Sequence, residues 1–349
     1  MRILITGGCG FIGQHLAALL SADHDLVALD LLTDQVHLDP EVARQRFPGE
    51  VVVGDVADAD IWAGLPTVDA VVHLAAETGT AQSMYEQDRY RRVNIEGTRL
   101  AGLAASRWGA SLVSLSSRAV YGEGRYRTSF GEVTFGARDS ADAVPEASRE
   151  DDRLVPVSVY GQTKVDAELA LAQVANGVPV TILRPQNVVG HGQALHNPYT
   201  GVLAAFLARL REGKPLQIYG DGHETRDFVH VSDVAAVIAW ALGRTATGEP
   251  LVLNVGTGTR TTLVDIATHA IAAAPHGGSF EHVEVKRAGD IEHACADLSR
   301  LRSVGAPEPK TSSADAIADF ITRSWAAPGA DSSVWDDALD QLRRRGLTR

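Results

Sequence analysis

The first thirteen residues, MRILITGGCGFIG, restrict the possible folds more than any other part of the sequence. Residues 2–6 form a short apolar run rich in β-branched side chains, which is typical of a buried strand. Phe11 then begins an apolar pattern with helical spacing. Gly7, Gly10 and Gly13 lie at the junction, where the lack of a Cβ allows a tight turn and the approach of a pyrophosphate to a helix N-terminus. The stretch therefore predicts a strand, a phosphate-binding turn and a helix.

A second predicted strand, residues 26–29, ends at Asp30. A dinucleotide site needs an acidic side chain at about this place, because its carboxylate accepts hydrogen bonds from ribose hydroxyl groups. The charge of Asp30 would also repel the 2′-phosphate of NADP, so the sequence predicts NAD as the cofactor. An ordinary βαβ unit with a glycine turn is the alternative interpretation. The strand before the glycines, the helix after them and the acid all argue against it.

Composition and charge exclude several classes of protein. The chain has 349 residues and a formal net charge of −12 at pH 7, which argues against nonspecific nucleic-acid binding because that needs a basic surface. The two cysteines, Cys9 and Cys295, are too few for a disulfide framework or a cysteine zinc site, and we predict no metal. The sequence has neither a membrane-spanning apolar run nor the pattern of a signal peptide. We therefore expect a cytoplasmic protein that does not bind a membrane.

Strands and helices alternate from residue 2 to residue 184, which predicts a parallel sheet with helices on both faces. Further strands of this first domain, residues 1–184, are expected at 50–56, 68–74, 111–115 and 178–183. Its long helices are expected at 90–108 and 160–175. Residues 122–159 are glycine-rich, charged and weakly periodic, which indicates a surface excursion, and loops of this length are often functional. Residues 185–349 are less regular and predict a smaller α/β lobe, with some segments returning to the first domain.

The carboxyl ends of the fourth and fifth predicted strands carry residues suited to a ligand. The fourth strand ends at Leu74 and is followed by Ala75 and Ala76, and small residues at this place let a flat ring lie close to the backbone. Ser116 and Ser117 follow the fifth strand, where a hydroxyl can relay a proton or bind a substrate oxygen. A tight packing site and a turn-stabilising serine are the respective alternatives.

Tyr160 and Lys164 are four residues apart on a predicted helix, so their side chains share one face. A tyrosine with a pKa near 10 is a poor base at neutral pH, and a nearby ammonium group lowers that pKa by stabilising the phenolate. The same lysine can hold a ribose of the cofactor. A solvated pair is the alternative, because this spacing is common in helices. The position of the pair after a nucleotide turn and a serine pair favours catalysis.

Together these motifs resemble the extended short-chain dehydrogenases/reductases of the nucleotide-sugar epimerase/dehydratase family. The glycine spacing G-x-x-G-x-x-G is itself typical of short-chain dehydrogenases. The matching segments, in chain order, are 6–13, 55–56, 73–76, Asn94 with 97–98, 116–122, Tyr160 with Lys164, 184–187 and 221–233. The resemblance covers about residues 1–300. It implies a Rossmann-type doubly wound sheet that holds NAD, and a C-terminal lobe that binds the nucleotide sugar.

The resemblance also implies a role for each matching residue. Tyr160 is the expected base, and Ser117 and Lys164 are its catalytic partners. Asp55 and Val56 are expected at the adenine, and Asp30 and Lys164 at the riboses. The full set of expected NAD contacts is Gly7, Gly10, Phe11, Ile12, Gly13, Asp30, Asp55, Val56, Leu74, Ala75, Ala76, Asn94, Tyr160 and Lys164. The expected nucleotide-sugar contacts are Ser117, Arg118, Asn187, Asn197, Arg226 and Arg287. The last two are expected at the diphosphate, which suits a guanidinium fork.

The type of reaction follows from one departure within the family. Its 4,6-dehydratases carry an acid pair just after the active-site hydroxyl residue, whereas this chain has Arg118 and Ala119 there. Elimination of water therefore lacks its acid and base, which leaves reversible oxidation at one sugar carbon, usually C4. The runs around Ser117, Arg184 and Asn197 are most similar to dTDP-L-rhamnose 4-epimerase-like proteins.

These resemblances imply an isomerase that oxidises a dTDP-hexose transiently to a 4-keto sugar. A UDP-sugar 4-epimerase and a nucleotide-sugar 4-ketoreductase are the alternatives among enzymes. A non-catalytic NAD-binding regulator is the alternative from another class. Family relatives often pair through the Tyr-Lys helix and the helix before the fifth strand, so a homodimer is expected.

Overall fold

The computed structural model describes residues 1–136, 143–199, 201–285, 287 and 289–348. The strands are β1 (Arg2–Thr6), β2 (Asp25–Asp30), β3 (Glu50–Val53), β4 (Ala70–His73), β5 (Ser111–Leu115), β6 (Arg125–Arg127), β7 (Val133–Phe135), β8 (Val144–Glu146), β9 (Val180–Pro185), β10 (Asn187–Val189), β11 (Leu216–Tyr219), β12 (Thr225–Arg226), β13 (Phe228–His230), β14 (Leu251–Val255), β15 (Thr261–Thr262) and β16 (Phe280–Val283). The α-helices are α1 (Phe11–Leu20), α2 (Pro40–Arg46), α3 (Ala59–Gly64), α4 (Thr80–Ser83), α5 (Gln87–Arg91), α6 (Gly97–Trp108), α7 (Val159–Val174), α8 (Val202–Arg211), α9 (Val231–Leu242), α10 (Leu263–Ala273), α11 (Ser299–Ser303), α12 (Ser313–Ser324) and α13 (Ser333–Arg344). A π-helical segment covers Arg92–Glu96, and a 3₁₀ turn covers Arg118–Tyr121.

A parallel sheet of seven strands, in the order β3-β2-β1-β4-β5-β9-β14, forms the centre of the fold. The chain builds outward from β1 to β3 on one side and then from β4 to β14 on the other. The loops after β1 and β4 therefore diverge, which opens a crevice at the carboxyl ends of these strands. This arrangement confirms the predicted doubly wound, Rossmann-type sheet.

Both faces of the sheet are buried, which explains why its strands are continuous apolar runs. Successive side chains of a strand alternate between faces, so Ile3 and Ile5 join one core while Leu4 joins the other. Helices α1 and α9 cover the first face, and α3, α6 and α7 cover the second.

A third apolar core lies in the C-terminal part of the chain, where α8, α10 and α12 pack around Phe206, Ile266 and Phe320. Strand β14 and helix α9 also come from this part of the sequence, yet β14 pairs with β9 and α9 packs on α1. The two regions are thus interleaved along the chain.

Local structure differs from the sequence predictions where polar side chains bind backbone. The predicted strand 50–56 ends at Val53, because Asp55 closes a turn by accepting a hydrogen bond from the Ala57 nitrogen at 2.8 Å. The predicted helix 90–108 contains the π-helical segment around Asn94. Helix α9 is capped by His230, whose ring nitrogen accepts a hydrogen bond from the Ser232 nitrogen.

The excursion 122–159 has more structure than its weak periodicity predicts, although residues 137–142 lie outside the described part. Strands β7, β6 and β8 form a small antiparallel sheet, and Tyr126 on β6 is fully buried. The prediction of a surface segment is therefore wrong for Tyr126, whereas Arg127 on the same strand is exposed. Among the described residues, no helix combines the length and the apolar character needed to cross a bilayer.

Candidate active site

The glycine turn after β1 brings the backbones of two strand ends into contact. Gly7 has a φ of +67°, and a Cβ there would lie 2.9 Å from the Ala75 nitrogen. A Cβ at Gly13 would lie 2.5 Å from the Gly7 carbonyl oxygen. Gly10 caps α1 without a side-chain acceptor, so the amides of the first helical turn have no side-chain cap. Helix amides without such a cap suit the pyrophosphate of a dinucleotide.

A continuous cavity of about 550 Å³ borders both this turn and Tyr160. The predicted site residues that line it are Gly7, Gly10, Phe11, Ile12, Gly13, Asp30, Asp55, Val56, Leu74, Ala75, Ala76, Ser117, Arg118, Tyr160, Lys164, Asn187 and Asn197. Asn94, Arg226 and Arg287 are not part of its wall as the described residues outline it. Within those same residues, no group of three or more His, Cys, Asp or Glu side chains could hold a metal ion.

A buried chain of hydrogen bonds fixes the loop after β4. The Thr6 hydroxyl oxygen accepts from the nitrogens of Leu74 and Ala75, at 3.2 Å each, and lies 2.8 Å from His73 Nδ1. His73 Nε2 in turn lies 3.0 Å from the Thr98 hydroxyl. Burial, with the charge of Lys164, lowers the pKa of His73 to about 3, so the ring stays neutral. No sequence pattern indicated this role for Thr6.

Asp30 is held in place at the end of β2. Its Oδ2 accepts from the Cys9 nitrogen at 3.0 Å, and its Oδ1 accepts from the Leu32 nitrogen at 2.9 Å. His37 Nε2 lies 3.5 Å from Oδ1, and both side chains are buried beside the cavity. The carboxylate thus joins the glycine turn to the rim where the sequence predicts a ribose. His37 was missed, because it lies in a polar segment without a recognisable pattern.

We expect Asp30→Asn to raise the affinity for NADP relative to NAD by about 10-fold or more, since two unit charges about 4 Å apart repel by roughly 1–4 kcal/mol near a protein surface. The amide also disturbs the bonds to Cys9 and Leu32, but this affects both cofactors equally. The ratio of the two dissociation constants, measured by fluorescence titration, is therefore the test. Asp23→Asn, at an exposed carboxylate, is the control. An unchanged ratio would remove Asp30 from cofactor selection.

The predicted adenine residues lie on the same side of the cavity as Asp30. Asp55 borders the cavity, and its Oδ2 is 2.6 Å from Arg92 Nη2. Val56 is buried and packs in the second sheet core.

Asn94 lies behind the cavity wall and is completely buried. Its Oδ1 accepts from the Glu77 nitrogen at 2.8 Å, and its Nδ2 donates to the Glu77 carbonyl at 3.1 Å and to the Thr163 hydroxyl at 3.0 Å. Asn94 therefore joins the loop after β4 to helix α7, which carries Tyr160. The sequence predicted a cofactor contact here, whereas the geometry gives Asn94 a positioning role.

Tyr160 and Ser117 meet at the cavity. Ser117 ends the segment after β5, where its hydroxyl oxygen accepts from the Ala119 nitrogen at 3.1 Å and caps the 3₁₀ turn. Burial raises the pKa of Tyr160, while a hydrogen bond with Ser117 and the charge of Arg118 act to lower it. The Tyr160 backbone nitrogen donates to the Ser83 hydroxyl at 3.0 Å, which anchors the start of α7.

Lys164 is held against the end of β5. Its ammonium group donates to the Leu115 carbonyl oxygen at 2.9 Å. Burial lowers the pKa of Lys164 to about 8, against the opposing charge of Glu168. The charge of Arg118, which the sequence placed among the substrate residues, also acts to lower the pKa of Tyr160. Lys164 still borders the cavity, where a ribose is predicted.

A buried ion pair behind the site was missed from the sequence. Glu168 accepts from the Ser116 hydroxyl at 2.5 Å and from Arg184 Nη2 at 2.6 Å. Arg184 also donates to the Tyr121 hydroxyl at 2.8 Å. This network binds the Ser116 hydroxyl to Glu168, although Ser116 also borders the cavity, and leaves Ser117 beside Tyr160. The available signal was the position of Glu168, one helical turn after Lys164 on the same face.

Arg118 and the two arginines predicted at the diphosphate, Arg226 and Arg287, lie close enough for charge effects on their pKa values. Burial and the charge of Arg226 lower the pKa of Arg118 to about 10. Burial also lowers the pKa of Arg226, and the charge of Arg287 adds to this effect, while the charges of Asp290, Glu123 and Glu224 oppose it. Arg287 pairs with Asp290 at 2.9 Å and stacks over Tyr219 at 5.2 Å. The three guanidinium groups thus share this cluster with carboxylates, and a bound anion would add to the charges that keep Arg118 and Arg226 protonated.

Asn187 adds an unpaired acceptor to this side of the cavity. Its Oδ1 is buried and has no hydrogen-bond partner among the described residues. Buried polar atoms are nearly always paired in folded proteins, so such an atom on a cavity wall indicates a ligand donor. Asn197 borders the same cavity and accepts from the Tyr199 nitrogen at 3.0 Å.

Comparisons with known proteins agree with this geometry. The NAD dependent epimerase/dehydratase family profile matches residues 3–256. A dTDP-L-rhamnose 4-epimerase of Burkholderia thailandensis is 37% identical, over 95% of this chain and 96% of the relative. A UDP-glucose 4-epimerase of Mycolicibacterium smegmatis is 32% identical, over 92% and 97%. The solved UDP-glucose 4-epimerase of Thermus thermophilus, in complex with NAD, matches with a TM-score of 0.77 and 27% identity, over 94% of this chain and 100% of that one.

Proposed function

The chain belongs to the NAD dependent epimerase/dehydratase family, and from this premise we propose that it is a nucleotide-sugar 4-epimerase acting on a dTDP-hexose. The observation that carries the proposal is the meeting of Tyr160, Ser117 and Arg118 at the cavity that also borders the glycine turn. A proton acceptor, a hydroxyl relay and an anion-binding cation thus share one space.

The cavity fits NAD. The glycine turn packs closely against the strand ends because Gly7 and Gly13 lack a Cβ, and the first turn of α1 has no side-chain cap. In our proposal Asp30 and Lys164 hold the two riboses, and Ala75 and Ala76 give a flat wall for a ring. NAD, when bound, supplies a hydride acceptor beside the sugar carbon.

The protein's own side chains move the proton. In our proposal the Tyr160 phenolate removes the proton of the sugar 4-hydroxyl and later returns it to the same oxygen, once C4 has been reduced from its opposite face. Ser117 orients that hydroxyl through the hydrogen bond it shares with Tyr160. Arg118 stabilises the phenolate by its charge. Removal of this proton prepares C4 for oxidation to a ketone.

The cluster of three arginines favours a diphosphate as the part of the substrate that the protein holds. A nucleotide diphosphate held by Arg118, Arg226 and Arg287 keeps the substrate bound while its sugar rotates in the cavity. Its charge would relieve the repulsion among these guanidinium groups. Asn187 offers its unpaired oxygen to a donor of the same ligand.

The carboxylates around the cavity argue against dehydration. Among the described wall residues, the carboxylates are Asp30, Asp55 and Glu77. The first two lie at the predicted adenosine end, and Glu77 pairs with Arg89 at 2.7 Å. Arg118 and Ala119 occupy the places of the dehydratase acid pair. The site therefore supports oxidation at one carbon better than elimination of water.

A UDP-sugar is the second candidate substrate, because the Mycolicibacterium relative and the Thermus structure are both UDP-glucose 4-epimerases by name. A net 4-ketoreductase uses the same residues, and a regulator without catalysis is disfavoured by the paired Tyr160 and Ser117.

The test is incubation with dTDP-L-rhamnose, dTDP-glucose, UDP-glucose and UDP-glucuronate, followed by NMR of the sugar. Inversion at C4 of a dTDP-sugar alone is expected, whereas inversion of only UDP-sugars would overturn the dTDP assignment.

The proposal includes a homodimer in the cytoplasm. Helices α6 and α7 pack together, and they carry the exposed apolar side chains Leu103, 41% accessible, and Leu169, 58% accessible. Burial of these side chains against a second copy is expected to stabilise the pair. Light scattering at micromolar concentration is expected to give twice the 37.1 kDa chain mass, and a monomer mass would contradict the proposal.

Both cysteines are free and buried, which fits a reducing compartment.

A further inference from the structure

Glu123 is a half-buried carboxylate that the proton chemistry of Tyr160 does not use. It lies two residues after the 3₁₀ turn that begins at Arg118, at the start of the excursion. Both of its carboxylate oxygens lie 3.0 Å from the backbone nitrogen of Glu292. The Tyr126 hydroxyl donates to Oε2 at 3.2 Å. The Glu123 carboxylate therefore links the region after β5, which carries Ser117 and Arg118, to the segment around Glu292, which is distant in the sequence.

The peptide group that Glu123 binds also holds Arg226. The nitrogen of Glu292 and the carbonyl oxygen of Ile291 belong to one planar peptide unit. Arg226 Nη2 donates to the Ile291 carbonyl at 2.7 Å, and Nη1 donates to the Glu292 carbonyl at 3.1 Å. A peptide unit that donates on one side and accepts on the other is polarised by both bonds, which strengthens each of them.

The excursion holds the same segment at a second point. The Ser148 nitrogen donates to the Cys295 carbonyl, and the Asp297 nitrogen donates to the Ser148 carbonyl, at 2.9 Å each. The segment that aims Arg226 is thus fixed by Glu123 near one end and by Ser148 at the other. We propose that Glu123 is a positioning residue, which orients Arg226 through the 291–292 peptide to receive the diphosphate of the substrate. The inference rests on the proposed function, since it assigns Arg226 to a nucleoside diphosphate.

The experiment measures binding of dTDP and UDP to the NAD-loaded protein by calorimetry. Glu123→Ala is expected to weaken binding by about 10- to 100-fold, as for loss of a hydrogen bond to a charged group. Glu123→Gln keeps a carbonyl acceptor and is expected to restore binding to within about 3-fold. The control Glu132→Ala removes an exposed carboxylate of the same excursion and is expected to bind normally. Glu123→Asp, whose carboxylate is withdrawn by one methylene, replaces the alanine variant if that variant fails to fold.

A double-mutant cycle separates positioning from general damage. If Glu123 acts through Arg226, the Glu123→Ala/Arg226→Ala protein binds no more weakly than Arg226→Ala alone. The Glu123→Ala variant is also expected to raise KM for the nucleotide sugar while leaving kcat within about 3-fold. Full additivity, or unchanged binding by Glu123→Ala, would overturn this inference and leave the proposed function intact. Absence of dTDP and UDP binding by the unaltered protein would overturn both.

Discussion

Replacement of Tyr160 by phenylalanine is expected to lower kcat by about 10³-fold while NAD remains bound, because a positioned general base contributes roughly 10²–10⁴-fold. Phenylalanine fills the same space on α7 but cannot accept the proton of the sugar 4-hydroxyl. The measurement is the initial rate of C4 inversion on the substrate identified by NMR, together with the NAD content of the purified protein. The drop in rate with NAD retained would assign the effect to chemistry.

The matched control is Tyr85→Phe, because Tyr85 bonds the Tyr199 hydroxyl at 2.6 Å and is not part of the described cavity wall. It is expected to retain a rate close to that of the unaltered enzyme. A Tyr160→Phe enzyme of nearly normal turnover would contradict the assignment of the base.

The pH dependence of the rate tests the assignment of Tyr160 as the base independently. The active form is the phenolate, so the rate is expected to rise with pH through the pKa of Tyr160. Arg118 acts to lower that pKa, so its removal in Arg118→Met raises the pKa and moves the rise to higher pH. A shift to lower pH, or no shift, would show that Arg118 does not stabilise the phenolate.

Gly13→Ala is expected to yield a protein without NAD. The new Cβ would lie 2.5 Å from the carbonyl oxygens of both Gly7 and Gly8, and backbone atoms cannot move aside as a flexible side chain can. Overpacking of this kind costs about 1–3 kcal/mol, and the forced shift closes the space proposed for the pyrophosphate. NAD content by absorbance and the midpoint of thermal unfolding, with and without added NAD, are the measurements.

The control for Gly13 is Gly64→Ala, at the end of α3, where a Cβ meets nothing within 4 Å. This variant is expected to keep both its NAD and its unfolding midpoint. Full NAD occupancy in Gly13→Ala would mean that the close approach of α1 to the turn is not what opens the cofactor site.

The parts of the fold that were predictable are those set by local pattern. The apolar run of β1, the glycines and the helical spacing from Phe11 are close together in the sequence, so periodicity and turn chemistry fix them without tertiary knowledge. The same holds for Tyr160 and Lys164, which share a face of α7 by helix geometry. The parallel sheet with helices on both faces followed from the alternation of strands and helices.

The missed features depend on contacts between distant segments. Glu168 becomes a site residue only because β5 and β9 bring Ser116 and Arg184 beside it. The π-helical segment forms where Asn94 binds the backbone of Glu77, a contact that no pattern within one helix reports. Strands β6 to β8 have three residues each, too few for a period-two signal. For a related reason, helical spacing places Lys164 on the face of Tyr160 but does not show that the Leu115 carbonyl binds its ammonium group.

The most direct test of the account uses a dTDP-hexose deuterated at C4, incubated with the enzyme without added reductant. The proposed epimerisation predicts a product inverted at C4 that retains its deuterium, with no net change in NADH absorbance, because the hydrogen removed from C4 returns to the same carbon. Conversion that requires added NADH and a 4-keto sugar would contradict the account and identify a ketoreductase. Loss of the deuterium to solvent would likewise contradict transient oxidation at C4.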